Sequence, residues 1–434
     1  MPGNACDDKR LGICRPLPLA QVASSAAGGA PIAPHSRRAL SILLYKVSVH
    51  SGRMSELLTN LEFTYLICQV QNFGKKVAYA IYLMYNQFVK IWAKAHNLEE
   101  KKMFNQMIEV LKANPRKIVF TEGHDARILE ATARLNEGKF LTPILIGNVE
   151  EVKANAAKGG FNIEGVEIID PLTYEGMDAM VEKMVELRKG KMSPEDCRKA
   201  LSKGNYFGTM LVKMGLADSL LGGATYSTAD TVRPALQLVK TKKGANLVSS
   251  CFIMVRGEEK LAMGDCAINL SYEDSVDKEG NVTVTAAQKL AEVAIETAKT
   301  AKVFGIEPKV AMLSFSTNGS GKGNTVQLSH DATQVAKEMD PELLIDGEMQ
   351  FDAAVAPEVG QLKFPGSPVA GYANTFIFPC IEAGNIGYKI AQRLGGFEAY
   401  GPILQGLAAP INDLSRGCNA DEVYKMAIIT AALV

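Results

Sequence analysis

The sequence predicts an α/β protein with two three-layer αβα domains, mostly parallel sheets and an interdomain cleft. Three observations support this fold class. From Met103 onward, short apolar runs alternate with helical patterns across short connections, which is typical of parallel strands covered by helices on both faces. With 434 residues, the chain is longer than one ordinary domain. Its 47% hydrophobic and 22% charged residues are those of a globular protein with a substantial core.

The first half of this region alternates regularly between the two kinds of element. The apolar runs predict strands at 117–120, 143–146, 166–169 and 216–221, followed by a β-rich run at 246–255. The amphipathic patterns predict helices at 126–136, 150–157, 174–189, 194–214 and 229–239. We expect the helix at 194–214 to break because it contains Gly204 and Gly208.

The second half repeats the same alternation. Thr285 and Gln288 form a Thr-x-x-Gln capping box for a helix at 286–304, which Gly305 ends. Further strands are predicted at 309–315, 343–345 and 375–378, and further helices at 325–339, 385–394 and 420–433.

The first 102 residues differ from the remainder in charge and composition. They contain 13 Lys and Arg residues against 6 Asp and Glu, whereas the remainder contains 34 against 41. Between Lys9 and Ser55 there is no acidic residue, and Ala, Ser, Gly and Pro are frequent. We therefore expect residues 1–102 to be a non-catalytic N-terminal extension. A disordered arm, organelle targeting by residues 1–60, and upstream sequence translated from an early start codon all remain open. Lysines interrupt its apolar runs, so no membrane span is predicted.

Cysteines, histidines and motifs exclude several classes of protein. The eight cysteines contain no C-x-x-C pair and the five histidines are scattered, so we expect no metal site, no disulfide framework, and a cytoplasmic location. The mild acidity of the main body argues against nucleic-acid binding. Neither Gly-x-Gly-x-x-Gly after the first strand nor Gly-x-Ser-x-Gly occurs, which disfavours a dehydrogenase and an α/β-hydrolase. The loop at 317–323 is rich in glycine but lacks the P-loop pattern.

The segment Ile411–Cys418 combines groups that suit an anion. Ser415 offers a hydroxyl, and Arg416 offers a planar fork of donors that matches phosphate. A helix start near Ala420 adds free backbone N–H groups and the positive end of a helix dipole. The alternative is that Asn412, Asp413 and Ser415 form a turn and that Arg416 is simply solvated. Local chemistry alone does not separate these two interpretations.

A resemblance to a known family favours the anion site. The run Tyr400–Cys418 resembles the C-terminal signature of the phosphate acetyltransferases, and the resemblance covers about residues 103–434. It continues upstream through these segments: 228–234, 310–317, 346–352, 367–371 and 383–386. The resemblance implies that the last helix returns to the first domain. Domain I would then comprise residues 103–248 plus 400–434, and domain II would be an insertion at 249–399. It also implies a homo-oligomer, such as a homodimer.

The resemblance implies a set of site residues as well. Ser415 and Arg416 would be catalytic, together with a carboxylate at Glu422, seven residues after Ser415, or at the preceding Asp421. By local chemistry alone, Glu422 could instead be the capping partner of Asn419. The residues implied in substrate binding are Arg233, Arg188, Ser316, Thr317, Gly319 and Ser320. Arg188 could alternatively serve only as a cation at a helix C-terminus.

The reaction implied by the resemblance is acetyl-CoA + phosphate = acetyl phosphate + CoA, by direct transfer in a ternary complex. CoA and acetyl-CoA would be substrates, and no tightly bound cofactor is expected. Two alternatives remain: a phosphate propionyl- or butyryltransferase, and a non-catalytic regulatory domain of the same fold.

Overall fold

The computed structural model describes residues 101–434. The predictions made for residues 1–100 lie outside the described residues. The described chain begins within a helix, α1 (residues 101–113), whose buried side chains include Met103, Phe104 and Leu111.

The first sheet has five parallel strands in the order β13-β4-β1-β2-β3. Their bounds are β1 Lys117–Phe120, β2 Thr142–Ile146, β3 Glu167–Ile169, β4 Ser219–Gly222 and β13 Ile411–Asp413. β13, the last strand in chain order, is thus an edge strand of the first sheet. Because all five strands are parallel, their carboxyl ends, and the loops that follow them, lie at one edge.

Helices cover both faces of this sheet. Their bounds are α2 Ala126–Gly138, α3 Val149–Gly159, α4 Met177–Arg188, α5 Pro194–Leu201, α6 Gly204–Lys213, α7 Thr228–Pro234 and α13 Ala420–Ala432. Buried side chains of α1, α2, α3 and α13 belong to one hydrophobic cluster, and those of α4, α5 and α6 belong to another. The two clusters make the sheet the middle layer of an αβα sandwich.

The second sheet has six strands in the order β10-β9-β11-β6-β5-β12. The bounds are β5 Ser249–Arg256, β6 Glu259–Gly264, β9 Val310–Leu313, β10 Ile345–Met349, β11 Thr375–Ile377 and β12 Glu398–Gln405. The pairs from β10 to β6 are parallel, whereas β5 runs antiparallel to both β6 and β12. A separate hairpin joins β7 Ser275–Val276 to β8 Val282–Val284.

The second sheet is also covered on both faces. Its helices are α8 Ala286–Val303, α9 Asn324–Met339, α10 Phe351–Val355, α11 Pro357–Lys363 and α12 Ile381–Arg393. One hydrophobic cluster contains the inner side chains of α8 and α9, and another lies on the side of α10 and α12. The predicted α/β class with mostly parallel sheets is therefore confirmed.

The two sheets share part of their core. Ile253 and Ile403, from β5 and β12, belong to the same buried cluster as Phe120 of β1. The division into domains stays a prediction, and its boundary between residues 399 and 400 falls inside β12. No helix within residues 101–434 has the length and apolar composition that a membrane crossing requires.

The breaks in regular structure follow from particular residues. The helix expected at 194–214 is indeed interrupted, between Leu201 and Gly204. A Cβ on Gly204 would lie 2.4 Å from the carbonyl oxygen of Thr121, so only glycine lets α6 approach β1 this closely. Residues 228–239 are helical, as expected for 229–239, but the α-helical part α7 ends at Pro234 and a π-helical turn, Ala235–Val239, follows. The hydrogen-bond pattern changes at Pro234, which has no N–H to donate. The strands β6, β12 and β13 were not predicted.

Candidate active site

The segment Ile411–Asp413 is a strand rather than the turn expected from its composition. It pairs in parallel with β4, and the N–H of Leu414 donates to the carbonyl of Gly222 at 2.7 Å. The buried side chain of Asn412 accepts a hydrogen bond from the N–H of Leu404 at 2.8 Å and donates to Thr430 Oγ1 at 2.9 Å. These contacts tie β13 to β12 and α13, and they fix where the chain leaves the sheet.

The chain turns immediately after this strand and exposes Ser415 and Arg416. The N–H of Cys418 donates to the carbonyl of Ser415 at 2.9 Å, which closes the turn. The N–H of Gly417 donates to Ser415 Oγ at 3.3 Å. Within the described residues, the guanidinium of Arg416 forms no ion pair. A hydroxyl and a guanidinium are therefore presented together at the carboxyl edge of the first sheet, just before α13 begins.

Arg127, from the first turn of α2, holds this turn from behind. Its Nη1 donates to the carbonyl oxygens of Arg416 and Cys418, at 2.9 and 3.0 Å. Its Nη2 donates to the carbonyl of Ala224, after β4, at 2.9 Å. Asp125, the N-cap of α2, accepts from both Nε and Nη2 and so fixes the plane of the guanidinium. One arginine thus joins the loops that follow β1, β4 and β13.

The two candidate bases lie in the first turn of α13 in different surroundings. Glu422 takes part in a capping box with Asn419, in which its Oε2 accepts from the Asn419 N–H at 3.0 Å. Asp421 accepts from Arg134 at 2.9 Å and from Lys425 at 2.8 Å. Partial burial opposes ionisation of Asp421, but the hydrogen bonds from Lys425 and Arg134 outweigh it and lower the pKa.

The two predicted arginines act on the same tyrosine. Arg233 is exposed, and its Nη1 lies 3.7 Å from Asp230 Oδ1. Arg188, at the end of α4, is partly buried, and its Nε has no hydrogen-bond partner. The pKa of Tyr206 is raised by burial, while the positive charges of Arg233 and Arg188 oppose that rise. The charges of Arg188 and Arg233 therefore both act on Tyr206 of α6.

Two buried carboxylates lie under the Ser415–Cys418 turn. Asp413 is 2% exposed and accepts hydrogen bonds from Thr228 and Thr231. Glu122, also 2% exposed, accepts from the backbone N–H of Thr225 at 2.9 Å. Burial raises the pKa of both carboxyl groups, and the pKa of Asp413 reaches about 6.

The predicted glycine-rich loop follows β9 of the second sheet. Ser316 and Thr317 are buried, whereas Gly319 and Ser320 are exposed. Ser316 Oγ and the N–H of Gly319 both donate to Glu348 Oε1, at 2.9 and 2.8 Å. Although burial opposes ionisation of Glu348, these bonds lower its pKa. Donors that were expected to face a ligand are thus directed at a carboxylate of the protein.

Sequence reasoning missed Arg127, Glu122 and the buried position of Asp413. Each lies in or directly after a strand or loop that reaches the carboxyl edge of the first sheet, and that shared edge is the signal that could have grouped them. A surface cleft of about 170 Å³, lined by Lys242, Lys299 and Glu296 among others, contains none of the predicted site residues. Within residues 101–434, no group of three His, Cys, Asp or Glu side chains could hold a metal ion.

Comparison with known proteins supports the resemblance noted in the sequence. A family model described as "Phosphate acetyl/butaryl transferase" matches residues 102–431. A phosphate acetyltransferase of Bacillus subtilis (strain 168) is 56% identical over 330 residues, which is 76% of this chain and 98% of that protein.

Solved structures agree with this match. A phosphotransacetylase from Streptococcus pyogenes is 52% identical with a TM-score of 0.72, covering 77% of this chain and 98% of its own. The EutD phosphotransacetylase from Staphylococcus aureus is 47% identical with a TM-score of 0.70, and the match covers 77% of this chain and 98% of that chain. Since the family model spans most of the chain and these relatives are covered almost completely, the protein belongs to the family of phosphate acetyl- and butyryltransferases.

Proposed function

We propose that the protein transfers an acetyl group between CoA and inorganic phosphate: acetyl-CoA + phosphate ⇌ acetyl phosphate + CoA. Its relatives named phosphate acetyltransferase, 56% identical in one case, support this activity. The observation that carries the proposal is the exposed Ser415–Arg416 turn, held at the carboxyl edge of the first sheet by Arg127. Ligands of open α/β sheets bind at such edges.

Arg416 would bind phosphate and polarise the acetyl carbonyl. Phosphate is already an adequate nucleophile, so catalysis needs orientation and charge stabilisation more than activation. Arg233 and Arg188 would supply further positive charge for the phosphate groups of CoA or for inorganic phosphate. The Nε–H of Arg188 has no acceptor, so a negatively charged oxygen of a substrate could accept a hydrogen bond from it.

In the reverse direction, the thiol of CoA must lose a proton. A free thiol has a pKa of about 8.5 and is only a few per cent ionised at neutral pH. Glu422 would accept this proton, because Asp421 is already engaged by two cations and has a lowered pKa. Ser415 would donate a hydrogen bond to the developing thiolate.

The acetyl group would pass directly between the two substrates in a ternary complex. Cys418 is the cysteine nearest in sequence to the proposed site, but burial raises the pKa of its thiol to about 11. Such a thiol is a poor nucleophile at neutral pH, since the thiolate is the reactive form. An acetyl-enzyme on this residue is therefore not part of the proposed mechanism.

The glycine-rich loop would contribute to substrate binding through its exposed part. Gly319 and Ser320 can reach a ligand, whereas Ser316 and Thr317 would support the loop from inside. We further propose that the protein is cytoplasmic, forms a homo-oligomer such as a homodimer, and binds no cofactor tightly. CoA and acetyl-CoA act as substrates in this scheme.

Two alternatives are not favoured by the relatives, which are named phosphate acetyltransferase. A phosphate propionyl- or butyryltransferase would use the same site, since one methylene changes transition-state binding by only about 1–3 kcal/mol. A non-catalytic regulatory domain of the same fold would have no need for an exposed Ser415–Arg416 turn.

A thiol-release assay with acetyl-, propionyl- and butyryl-CoA, with and without phosphate, tests the proposal. We expect phosphate-dependent release with acetyl-CoA as the preferred substrate. Preference for butyryl-CoA would assign the sibling activity. Absence of release with all three, from folded protein, would leave the regulatory alternative.

A further inference from the structure

The carboxylate of Asp413 bridges the two elements that carry the proposed site residues. Its Oδ2 accepts from Thr228 Oγ1 at 2.6 Å, and its Oδ1 accepts from Thr231 Oγ1 at 2.5 Å. Both threonines belong to α7, which also carries Arg233. Asp413 itself ends β13, two residues before Ser415. One side chain therefore links the strand before Ser415–Arg416 to the helix of Arg233.

The surroundings of Asp413 are tightly packed. Gly223 has a φ of +100°, and a Cβ at this position would lie 2.2 Å from Asp413 Oδ1. The N–H of Gly223 faces the other way and donates to Glu122 Oε2 at 3.3 Å. Gly223 thus lies between two buried carboxylates. Within the described residues neither carboxylate forms an ion pair that would offset the cost of burying its charge.

From this geometry, and on the basis of the proposed function, we propose that Asp413 is a positioning residue. Its two hydrogen bonds to α7 fix the distance and orientation between the Ser415–Arg416 turn and Arg233. A fixed arrangement of this kind matters because a displacement of about 1 Å in a reactive geometry can lower a rate about 10²-fold.

The ionisation of Asp413 follows from the groups around it. Burial raises its pKa to about 6, hydrogen bonds from Thr228 and Thr231 oppose the rise, and the negative charge of Glu122 adds to it. Tyr226 faces both carboxylates from the loop after β4, and its own pKa is raised, so it stays neutral. On α7, Arg233 and Asp230 lie 3.7 Å apart. From α2, the positive charge of Arg127 acts on Glu122.

Protonation of Asp413 changes the bridge. The carboxylate accepts through both oxygens, whereas the acid has an O–H donor on one of them. One threonine hydroxyl then loses its acceptor or must reverse its direction. The link between β13 and α7 is therefore complete above a pH of about 6 and incomplete below it.

Asp413→Asn tests the bridge with an isosteric side chain. The amide has a single oxygen, so it can accept from Thr228 or Thr231 but not from both. We expect kcat/KM to fall about 10–10²-fold at pH 7.5. Thr231→Val, which removes one donor, should cause a smaller fall. Matched controls are Thr132→Val, a buried threonine whose hydroxyl has no partner, and Asp265→Asn, a buried carboxylate directly after β6 of the second sheet. We expect both controls to keep wild-type kcat/KM.

The pH profile separates positioning from a merely structural role. In the wild type, kcat/KM should decline as the pH falls through about 6, and this limb should be absent in Asp413→Asn. Substrate ionisation is common to both proteins and cancels in the comparison. Glu122→Gln should shift the limb to lower pH, because removing a nearby negative charge lowers the pKa of Asp413. Superimposable profiles for the wild type and Asp413→Asn would overturn the proposal.

Stability provides a readout that does not depend on activity. The folded pKa of Asp413 lies above the ordinary value, so its contribution to stability decreases as the pH rises from about 4 to about 6, and is constant above. Asp413→Asn lacks this decrease. As the pH rises from about 4 to about 6, the melting temperature of the variant should therefore increase relative to that of the wild type. The kcat/KM of the variant at pH 7.5 should nevertheless be lower than that of the wild type.

Hydrogen exchange tests whether Asp413 links β13 to α7, and this test does not depend on transferase activity. In Asp413→Ala, amide exchange should accelerate in both segments that the bridge joins, 228–233 and 414–418, at pH 7.5. Thr132→Val should leave both segments unchanged. Unchanged protection in Asp413→Ala would show that the carboxylate does not hold the two elements together. An inactive wild type with accelerated exchange in the variant would refute the proposed function but not the bridge.

Discussion

The turn Ser415–Cys418 and the loop 317–323 each follow a strand that pairs in parallel with its neighbours, yet their polar groups are used differently. In the turn, Ser415 and Arg416 are exposed, and Arg127 binds the backbone carbonyls from behind. In the loop, the buried Ser316 hydroxyl and the N–H of Gly319 donate to Glu348. The polar side chains of the turn are thus available to a ligand, whereas a carboxylate of the protein already accepts from the donors of the loop.

The largest expected effect concerns the exposed turn. Arg416→Gln should lower turnover about 10²–10³-fold, which corresponds to ~2–4 kcal/mol for a lost charge-assisted contact to the transition state. The melting temperature should hardly change, because the side chain is exposed. Steady-state kinetics and thermal unfolding on the same sample measure both. Near-normal turnover would mean that Arg416 is merely a solvated turn residue.

The next effect separates the base from the helix cap. Glu422→Gln can retain the capping box with Asn419, so it should keep stability while lowering the rate of acetyl phosphate plus CoA on the order of 10²-fold. The rate of this variant should recover as the pH rises towards the thiol pKa of about 8.5. Asp421→Asn is the matched control. If Asp421→Asn alone loses the rate, the roles of the two carboxylates must be exchanged.

A smaller effect is expected behind the turn. Arg127→Lys keeps the charge but cannot reproduce the fork that contacts Asp125, Ala224, Arg416 and Cys418. We expect kcat/KM to fall about tenfold, together with a lower melting temperature. Arg198→Lys, in an exposed ion pair with Asp178, serves as the control and should resemble the wild type. Unaltered kcat/KM in Arg127→Lys would show that the turn keeps its conformation without the hydrogen bonds from Arg127.

The smallest effect on turnover is expected in the glycine-rich loop. Glu348→Gln should change kcat/KM by no more than about twofold if the loop donors serve the protein rather than the substrate. Stability should respond instead. The pKa of Glu348 is lowered, so its contribution is present above the ordinary Glu value of about 4.3 and is lost as the pH falls through the lowered pKa. Thermal unfolding at pH 3–7 should show a weaker acid dependence in the variant. A large loss of activity at neutral pH would instead assign the Ser316 hydroxyl and the Gly319 N–H, the two donors to Glu348, to substrate binding.

Local patterns accounted for the helices more fully than for the strands. The capping boxes Thr285–Gln288 and Asn419–Glu422 were both visible in the sequence, and both form. A capping box depends on residues three positions apart, so it can be recognised without knowing the fold. The short strand Ile411–Asp413 was missed because Asn and Asp favour turns. It forms because β4 offers an unpaired edge, and Asn412 bonds to β12 and α13.

The sequence alone determined the α/β class and the family, because alternating apolar patterns and contiguous motifs are local properties. It also placed Ser415 and Arg416 together, since they are neighbours in the chain. Only the tertiary structure decided which groups surround them. Arg127 contacts the carbonyl of Arg416 across 289 positions, Asp413 bonds to Thr228 across 185, and Glu348 reaches Ser316 across 32. Such contacts exist because parallel strands bring distant loops to one edge, and the burial and charge of these loops depend on that arrangement.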